Sequence, residues 1–242
     1  MAETILNNFT STVRKAVDEY HMIEEGDKIA VGISGGKDSM LLLASLHHLS
    51  TFYPYHFDVE AVTIDLGFEG MDFTPVQEYC DNLGIRYVLE KTDIREIVFD
   101  IRQEDNPCAL CAKMRRGALN NIIKTHGFTK LALGHHFDDA VETIMMNLFI
   151  EGRFDCFRPV TYLSRSDITV IRPMLYVPEK EISHFVRVSD IAPVPKKCPA
   201  DGITKREDTK KALAEMERKD RGVKQRIFNA WEQSPVNRDR ID

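Results

Sequence analysis

Hydrophobic positions recur in two alternating patterns along the chain. Residues 3–22 carry apolar side chains at helical spacing, whereas 28–33 and 57–65 contain short apolar runs typical of buried strands. The alternation continues downstream. Helices are predicted over 38–49, 74–83, 107–126, 137–150 and 179–188, and strands over 86–90, 130–134 and 168–172. This order predicts an α/β fold, a doubly wound and mainly parallel sheet of about five strands with an N-terminal helix in front of it.

The composition changes after Pro193, where prolines bracket Lys196-Lys197-Cys198 and predict a rigid loop. The segment 204–226 follows, with nine Lys/Arg against five Asp/Glu, and is predicted to be helical up to the Gly222 region. We therefore expect a main domain over 1–192 and a C-terminal helical appendage over 193–242.

Overall composition excludes several classes of protein. The chain has 242 residues, of which 43% are hydrophobic and 29% charged, values typical of a folded globular protein. No apolar run approaches the roughly 20 residues that span a bilayer. The first residues, Met1-Ala2-Glu3-Thr4, contain no basic segment leading into an apolar one. We expect a cytoplasmic protein without a membrane partner.

A glycine turn, Ser34-Gly35-Gly36-Lys37-Asp38-Ser39, joins the first predicted sheet strand to an apolar helix. Glycines allow close backbone approach, and the helix start offers unpaired N–H groups and the positive end of its dipole. Lys37 adds a positive charge, and the two serines add hydroxyl donors. A capped tight turn is the simpler interpretation, but this combination favours a polyphosphate or pyrophosphate socket. The GxxxxGK[ST] phosphate loop is excluded, because Val31 occupies its first glycine position.

Cysteines form a second candidate site. Cys108 and Cys111 open a predicted helix at a spacing that lets both sulfurs reach one metal or cluster, and Cys198 offers a third ligand. The helix start and the nearby cations would favour thiolates. Zinc, a redox disulfide, a cluster and buried structural thiols all remain open on spacing alone. Cys80 is expected in the core, and Cys156 is ambiguous, with a sulfur-carrying role as one possibility.

Charged residues near these motifs allow two interpretations. Asp138 and Asp139 are either helix-start carboxylates or a Mg²⁺ ligand and general base. Residues 106–137 contain no acidic side chain, and the segment 204–226 has a net charge of +4, although the whole chain carries −6. Such runs are commonly solvated helix faces, and RNA backbone binding is the functional alternative. The candidates for RNA binding beside the cysteines are Lys113, Arg115 and Arg116.

The glycine turn resembles the PP-loop of the N-type ATP pyrophosphatases, which include tRNA thiolation enzymes, lysidine synthetase and GMP synthetase. The resemblance implies an adenine nucleotide alpha hydrolase-like fold, Mg²⁺, and cleavage of ATP to AMP and pyrophosphate with formation of an adenylate. It also implies a set of nucleotide-binding residues. These are Ser34, Gly35, Gly36, Lys37, Asp38 and Ser39, together with Asp65, Gly134 and His135 at the ends of later strands.

A second resemblance covers about residues 5–230. Pro107-Cys108-x-x-Cys111, Gly134-His135-His136-x-Asp138-Asp139, Arg172-Pro173 and Cys198 keep the order of the tRNA 2-thiocytidine biosynthesis family. It implies a 4Fe–4S cluster held by Cys108, Cys111 and Cys198, with one iron free to bind sulfur. Many members carry a fourth cysteine where this chain has Asp201. Only three thiolates are therefore available, which favours a cluster with an open or weakly ligated iron, and contact of Asp201 with the cluster is left open.

Together these resemblances imply an ATP- and cluster-dependent tRNA sulfurtransferase. It would adenylate a pyrimidine C2 oxygen and replace that oxygen with sulfur, giving 2-thiocytidine in the anticodon loop. Lys37, Asp38, Asp138 and Asp139 are the expected catalytic residues. A cysteine desulfurase or free sulfide is the expected sulfur donor, and a homodimer the expected assembly. Alternatives are a 2-thiouridine synthetase, a PP-loop ATPase acting on a non-RNA small molecule, and a zinc-stabilised RNA-binding module.

Overall fold

The computed structural model describes residues 2–103, 107–164, 167–189, 193–194, 198 and 205–234. One π-helical segment, Glu96–Arg102, accompanies the regular elements. The strands are β1 Asp27–Gly32, β2 Phe57–Asp65, β3 Tyr87–Lys91, β4 Lys130–Ala132, β5 Val160–Leu163 and β6 Ile168–Ile171. The helices are α1 Ala2–Glu19, α2 Lys37–Ser50, α3 Thr74–Leu83, α4 Pro107–His126, α5 Phe137–Ile150, α6 Glu179–Val188, α7 Lys205–Lys219 and α8 Val223–Glu232.

All six described strands form one sheet in the order β3-β2-β1-β4-β6-β5. Neighbours pair in parallel except β5 and β6, which are antiparallel. Val31 of β1 pairs with Ala61 on one side and Ala132 on the other, so the strand order reverses between β1 and β4. Open α/β sheets bind ligands at such a reversal, outside the carboxyl ends of the strands. The glycine turn leaves β1 at this end of the sheet.

Helices cover both faces of the sheet and bury its apolar residues. The largest cluster joins β1 to α1, α2 and α6, and a second joins β1, β2 and β6 to α4. A third packs Leu213, Phe228 and Trp231 of the appendage against α5. Cys80 lies fully buried in the largest cluster, which confirms its predicted place in the core. No helix in the described part of the chain is long and apolar enough to cross a bilayer.

Three features differ from the pattern-based prediction. The sheet has a sixth strand, β5, whose residues at the edge are mostly half-buried and show little apolar alternation. The π-helical segment was not predicted. The basic segment is helical up to Lys219, in agreement with the predicted end near Gly222, but Gly222 adopts a left-handed φ of 85° and starts a second helix that was not predicted. The Glu217 carboxylate accepts the N–H groups of Gly222 and Lys224 at this junction. The division of the chain at residue 192 stays a prediction.

Candidate functional site

The glycine turn needs glycine at its second position for two reasons. Gly35 has a φ of +77°, which residues with a side chain rarely adopt, and an added Cβ would lie 2.7 Å from the Val194 Cβ. Gly36 is the extended N-cap of α2, and no side chain caps it among the described residues. The first N–H groups of α2 are therefore free to face an anion at the positive end of the helix dipole.

Two serines hold the turn in shape before any ligand binds. The Ser39 hydroxyl accepts the Ser34 N–H at 3.2 Å and donates to the Gly36 carbonyl at 3.0 Å. The Ser34 hydroxyl accepts the Gly36 N–H at 3.3 Å. Ser39 is buried and Ser34 is exposed, so Ser39 fixes the backbone while Ser34 faces solvent. The socket is thus preorganised, which lowers the entropy cost of binding a ligand.

Lys37 reaches a carboxylate that the sequence did not reveal. Its Nζ lies 3.0 Å from Asp38 Oδ1 and 3.4 Å from Oε1 of Glu179, the first residue of α6. Lys210 of α7 contacts the same Glu179 carboxylate at 2.9 Å. Burial alone would raise the pKa of Glu179, but the hydrogen bond and charge of Lys210, with help from Lys37, lower it below its ordinary value. Glu179 is therefore a charged partner shared by two lysines.

The ends of β2 and β4 lie where the prediction places them. Gly134 follows β4, and a Cβ added there would come within 3.3 Å of the backbone of Asp38 and Ser39. The close approach explains glycine at this position and joins the β4 end to the glycine turn. Asp65 ends β2, and its carboxylate accepts the Gly67 N–H at 3.0 Å. Its role in nucleotide binding stays a prediction.

His135 is a neutral hydrogen-bond acceptor. Burial, followed by the nearby Arg172 charge, lowers the pKa of His135 to about 4. Its Nδ1 accepts from Arg172 Nε at 3.3 Å, and its ring packs on Phe157 with centroids 4.9 Å apart. Burial also lowers the pKa of Arg172 to about 10, and its guanidinium donates to the Arg158 carbonyl at 2.5 Å. The predicted contact of His135 with the nucleotide stays a prediction.

Asp138 and Asp139 both have protein partners. His136 caps α5, and Asp139 completes a capping box by accepting the His136 N–H at 3.0 Å. Asp138 accepts the Glu179 N–H at 2.8 Å and Lys224 Nζ at 2.7 Å. Burial would raise the pKa of Asp138, but these two hydrogen bonds and the Lys224 charge lower it. The geometry supports the helix-start interpretation, and the catalytic roles stay predictions.

The three cysteines of the second candidate site, the cysteine trio Cys108, Cys111 and Cys198, lie near one another. Cys108 is exposed, and the other two are half-buried. Burial raises the pKa of Cys111, Arg115 lowers it, and the charges of Cys198 and Cys108 raise it further. The interaction between Cys111 and Cys198 brings together residues from distant parts of the chain. Arg115 acts in the direction expected of the nearby cations, but burial and the two neighbouring thiols leave the pKa of Cys111 raised overall.

Val194 connects the cysteine trio to the glycine turn. Its N–H donates to the Gly35 carbonyl at 2.9 Å, beside the close approach of its side chain to Gly35. Cys198 follows four residues later in the chain. An extended chain of that length spans at most about 14 Å, so the Cys198 Cα lies within that distance of Val194. Asp201, the residue in place of the fourth cysteine, lies outside the described residues.

The donor set of the cysteine trio consists of three thiols, which can bind either a zinc ion or an iron–sulfur cluster. A tetrahedral zinc site with Zn–S bonds of about 2.3 Å brings its sulfurs within about 4 Å of each other. Among the described side chains, no group of three or more His, Cys, Asp or Glu could hold a single metal ion. A cluster of several irons separates its ligands more widely and prefers thiolates. Three thiols, with Cys111 in electrostatic range of the other two, are the ligand type that such a cluster takes.

Cys156 is more deeply buried than the three cysteines of the trio, and this burial keeps its thiol protonated. It is buried, its Sγ contacts the Ala140 carbonyl at 3.5 Å, and burial raises the pKa of its thiol to about 12. A protonated, inaccessible thiol is a poor nucleophile. The sulfur-carrying role considered for Cys156 therefore has no support in this geometry.

The two predicted basic surfaces differ from each other in the exposure and ion pairing of their cations. Lys113, Arg115 and Arg116 are exposed on α4, next to the two helix-start cysteines. The Lys130 side chain in the same stretch is instead buried against Asp27 at 2.8 Å. In the appendage, three of the nine cations in the expected basic surface form ion pairs with carboxylates of the main domain. Its paired cations include Arg206, Lys210 and Lys224.

Sequence reasoning missed Glu179 and the paired appendage cations. Glu179 is the acidic first residue of a helix that follows the end of β6, a position at the ligand-binding edge of the sheet. This position in the predicted order of strands and helices was the one feature of the sequence that could have indicated Glu179 as a site residue. Its lysine partners lie 142 and 31 residues away along the chain, so no local pattern joins them.

Comparisons with known proteins identify related sequences over most of the chain. The PP-loop domain family matches residues 5–198. The tRNA-cytidine(32) 2-sulfurtransferase of Citrifermentans bemidjiense is 37% identical over 221 residues, 90% of this chain and 87% of that protein. The protein of the same name from Pelobacter propionicus is 40% identical over 208 residues, 85% of this chain and 77% of that protein.

A solved structure supports the predicted fold class. The U34-tRNA thiolase NcsA from Methanococcus maripaludis with its [4Fe-4S] cluster superposes with a TM-score of 0.79 and 24% identity, covering 96% of this chain and 79% of that chain. The mainly parallel PP-loop architecture expected from the sequence is thereby confirmed. With its glycine turn, its strand order and these relatives, the chain belongs to the PP-loop domain family, in the group that contains the tRNA-cytidine(32) 2-sulfurtransferases.

Proposed function

We propose that the protein is an ATP-dependent tRNA sulfurtransferase that converts cytidine 32 of tRNA to 2-thiocytidine. Relatives that carry this name are 37–40% identical over most of the chain. The observation that carries the proposal is the Val194 hydrogen bond to Gly35, which tethers the cysteine segment to the phosphate-binding turn. An activated base held at the turn would therefore lie near the cysteine trio.

ATP binding is assigned to the glycine turn. The free N–H groups at the start of α2, the Ser34 hydroxyl and the Lys37 ammonium would hold the phosphates. Lys37 would leave its carboxylate partners for a phosphate oxygen, and Asp38 would help to hold Mg²⁺. Asp65, Gly134 and His135 are proposed to flank the nucleotide. For Asp138 and Asp139, which already have protein partners, a direct role stays a prediction.

The proposed reaction has two steps. The C2 oxygen of cytidine attacks the α-phosphorus of ATP, the bond to the β-phosphate oxygen breaks, and pyrophosphate leaves. Sulfide then adds to C2, the C2–O bond breaks, and AMP leaves with the former base oxygen. Cytidine, ATP and hydrosulfide thus give 2-thiocytidine, AMP and pyrophosphate without net oxidation. Lys37 and the helix N–H groups would stabilise the negative charge that develops on the phosphates.

The cysteine trio is proposed to hold a 4Fe–4S cluster through three thiolates. When bound, the cluster would supply a Lewis-acidic iron with an open position for sulfide. The contribution of the chain is to fix the three thiols, to place Cys198 by way of Val194, and to keep Arg115 beside Cys111. The cysteine desulfurase or free sulfide donor, the homodimer and the cytoplasmic location stay predictions.

The tRNA is proposed to approach over α4. Lys113, Arg115 and Arg116 are exposed on the helix that begins with Cys108 and Cys111. Phosphate contacts supply much of the affinity for RNA and fix its register. A base in a single-stranded loop can be splayed into a pocket, whereas a base in an A-form helix is poorly accessible. The anticodon loop provides such a base.

The test is thiolation by anaerobically prepared protein. Incubation with tRNA, ATP, Mg²⁺ and sulfide should give 2-thiocytidine, detected by mass spectrometry of digested nucleosides, with one AMP formed per thiolated base. Omission of ATP should abolish the product. Formation of 2-thiouridine, or AMP production that does not depend on tRNA, would contradict the proposal and support one of the alternatives.

A further inference from the structure

An acidic rim borders the proposed nucleotide site. It consists of four carboxylates on the first half of α5 and the start of α6, Asp138, Asp139, Glu142 and Glu179. Glu179 reaches Lys37 at 3.4 Å, and Asp138 accepts the Glu179 N–H at 2.8 Å. A polyphosphate in the glycine turn would meet the negative charge of Glu179 at short range, where repulsion is strong unless the charge is neutralised.

Three cations of the appendage pair with the whole rim. Arg206 contacts Asp139 at 3.0 Å and Glu142 at 3.7 Å. Lys210 contacts Glu179 at 2.9 Å, and Lys224 contacts Asp138 at 2.7 Å. All three lie on α7 and α8, beyond residues 5–198 that match the PP-loop domain family. The neutralising charges therefore come from outside the family domain.

We propose that α7 and α8 neutralise the acidic rim so that Lys37 can serve the nucleotide phosphates, with Lys210 as the main positioning residue. This inference rests on the proposed function only in taking the glycine turn as an ATP site. The Lys210 contact with Glu179, at 2.9 Å, is shorter than that of Lys37, at 3.4 Å. Glu179 thus keeps a partner when Lys37 turns to a phosphate. Without Lys210, Glu179 and the phosphates would compete for Lys37.

The matched control lies beside Lys210 on the same helix. Lys211 is exposed, whereas Lys210 is half-buried against Glu179. Both substitutions to methionine remove one positive charge and keep an unbranched side chain of similar length. A difference between them therefore reports on the contact with the rim rather than on net charge or helix propensity.

The experiment measures ATP affinity of the full-length protein by calorimetry with Mg²⁺ and without tRNA. Lys210→Met should weaken binding about fivefold, the effect of losing one partly exposed ion pair. Lys211→Met should bind ATP like the wild type. Glu179→Gln combined with Lys210→Met should restore most of the affinity, because the competing carboxylate is gone. A role of Lys210 in packing alone would not give this rescue.

The outcomes separate the two proposals. If the wild type does not bind ATP, the proposed function fails and this inference with it. If the wild type binds ATP and Lys210→Met binds equally well, or the double variant is no better than Lys210→Met, only the inference is overturned. Should Lys210→Met fail to fold, Lys210→Gln, alone and combined with Glu179→Gln, provides the same test at the same ion pair, with the same expected loss and rescue.

Discussion

Two basic regions that look alike in the sequence differ in the structure. On α4, Lys113, Arg115 and Arg116 are exposed beside the cysteines. On α7 and α8, Lys210 and Lys224 hold carboxylates at the starts of α6 and α5. The cations of the first region are exposed, whereas three cations of the second are paired with carboxylates elsewhere in the chain.

The difference shows that a run of charge does not by itself indicate a binding surface. A lysine that a carboxylate from a distant segment already contacts is less available to a ligand than a lysine exposed to solvent. In this chain the partners of Arg206 and Lys224 lie 67 and 86 residues away. The proposals of tRNA binding by α4 and of site organisation by the appendage can therefore be tested separately.

The largest expected effect is on tRNA binding by α4. Replacing Lys113, Arg115 and Arg116 with alanine should weaken tRNA binding about 10- to 100-fold at low salt, because phosphate contacts dominate affinity. The slope of log affinity against log salt concentration should fall by about 2 units. Filter binding across a salt series measures both quantities.

The control for that experiment is the exposed basic surface of α7. Replacing Lys211 and Arg218 with alanine removes two exposed charges from that helix. We expect less change in tRNA affinity and salt slope than for the α4 variant, and unchanged ATP binding in both. Equal losses of tRNA affinity in the α4 and α7 variants would contradict the claim that α4 is the tRNA-binding helix.

A smaller effect is expected on stability at the acidic rim. Burial, followed by the Asp139 charge, raises the pKa of the Glu142 carboxyl to about 7. A raised carboxyl pKa means that the folded state favours the protonated form, so this group destabilises the fold increasingly as pH rises from about 4.5 to 7. Glu142→Gln should therefore stabilise the protein above pH 7, by about 1–3 kcal/mol.

Urea denaturation at pH 5 and pH 8 measures this difference. The gain from Glu142→Gln should be larger at pH 8 and small at pH 5. The Glu151→Gln control alters an exposed carboxylate beyond the end of α5 and should change stability little at either pH. A gain that is the same at both pH values would show that the Glu142 carboxyl does not titrate in this range.

Much of the fold could be predicted from the sequence because local patterns encode it. The five parallel strands coincide with apolar runs in the sequence. The glycine turn at the end of β1 is recognisable from its own residues, which combine glycines, a lysine and two serines. The edge strand β5 could not be predicted, since partial burial leaves little alternation in its residues. The helix that follows Gly222 was missed because a glycine commonly ends a helix, whereas Gly222 here also starts one.

The site was predicted less completely, because its contacts join distant segments. The spacing of Cys108 and Cys111 indicates a shared ligand, but their proximity to Cys198 depends on the fold. The hydrogen bond from Val194 to the Gly35 carbonyl could not be predicted for the same reason, because the two residues are far apart in the sequence. Asp138 and Asp139 were expected as catalytic groups, and their hydrogen bonds and ion pairs became visible only in the structure.

The most direct test of the account is iron content and thiolation in a Cys198→Ser variant, with Cys156→Ala as the matched control. Both proteins are purified anaerobically, reconstituted with iron and sulfide, and assayed for iron, ATP binding and 2-thiocytidine. We predict that Cys198→Ser loses most of its iron and all thiolation but still binds ATP, while Cys156→Ala keeps both iron and thiolation. Unchanged iron and thiolation in Cys198→Ser would contradict the claim that the cysteine trio acts beside the glycine turn.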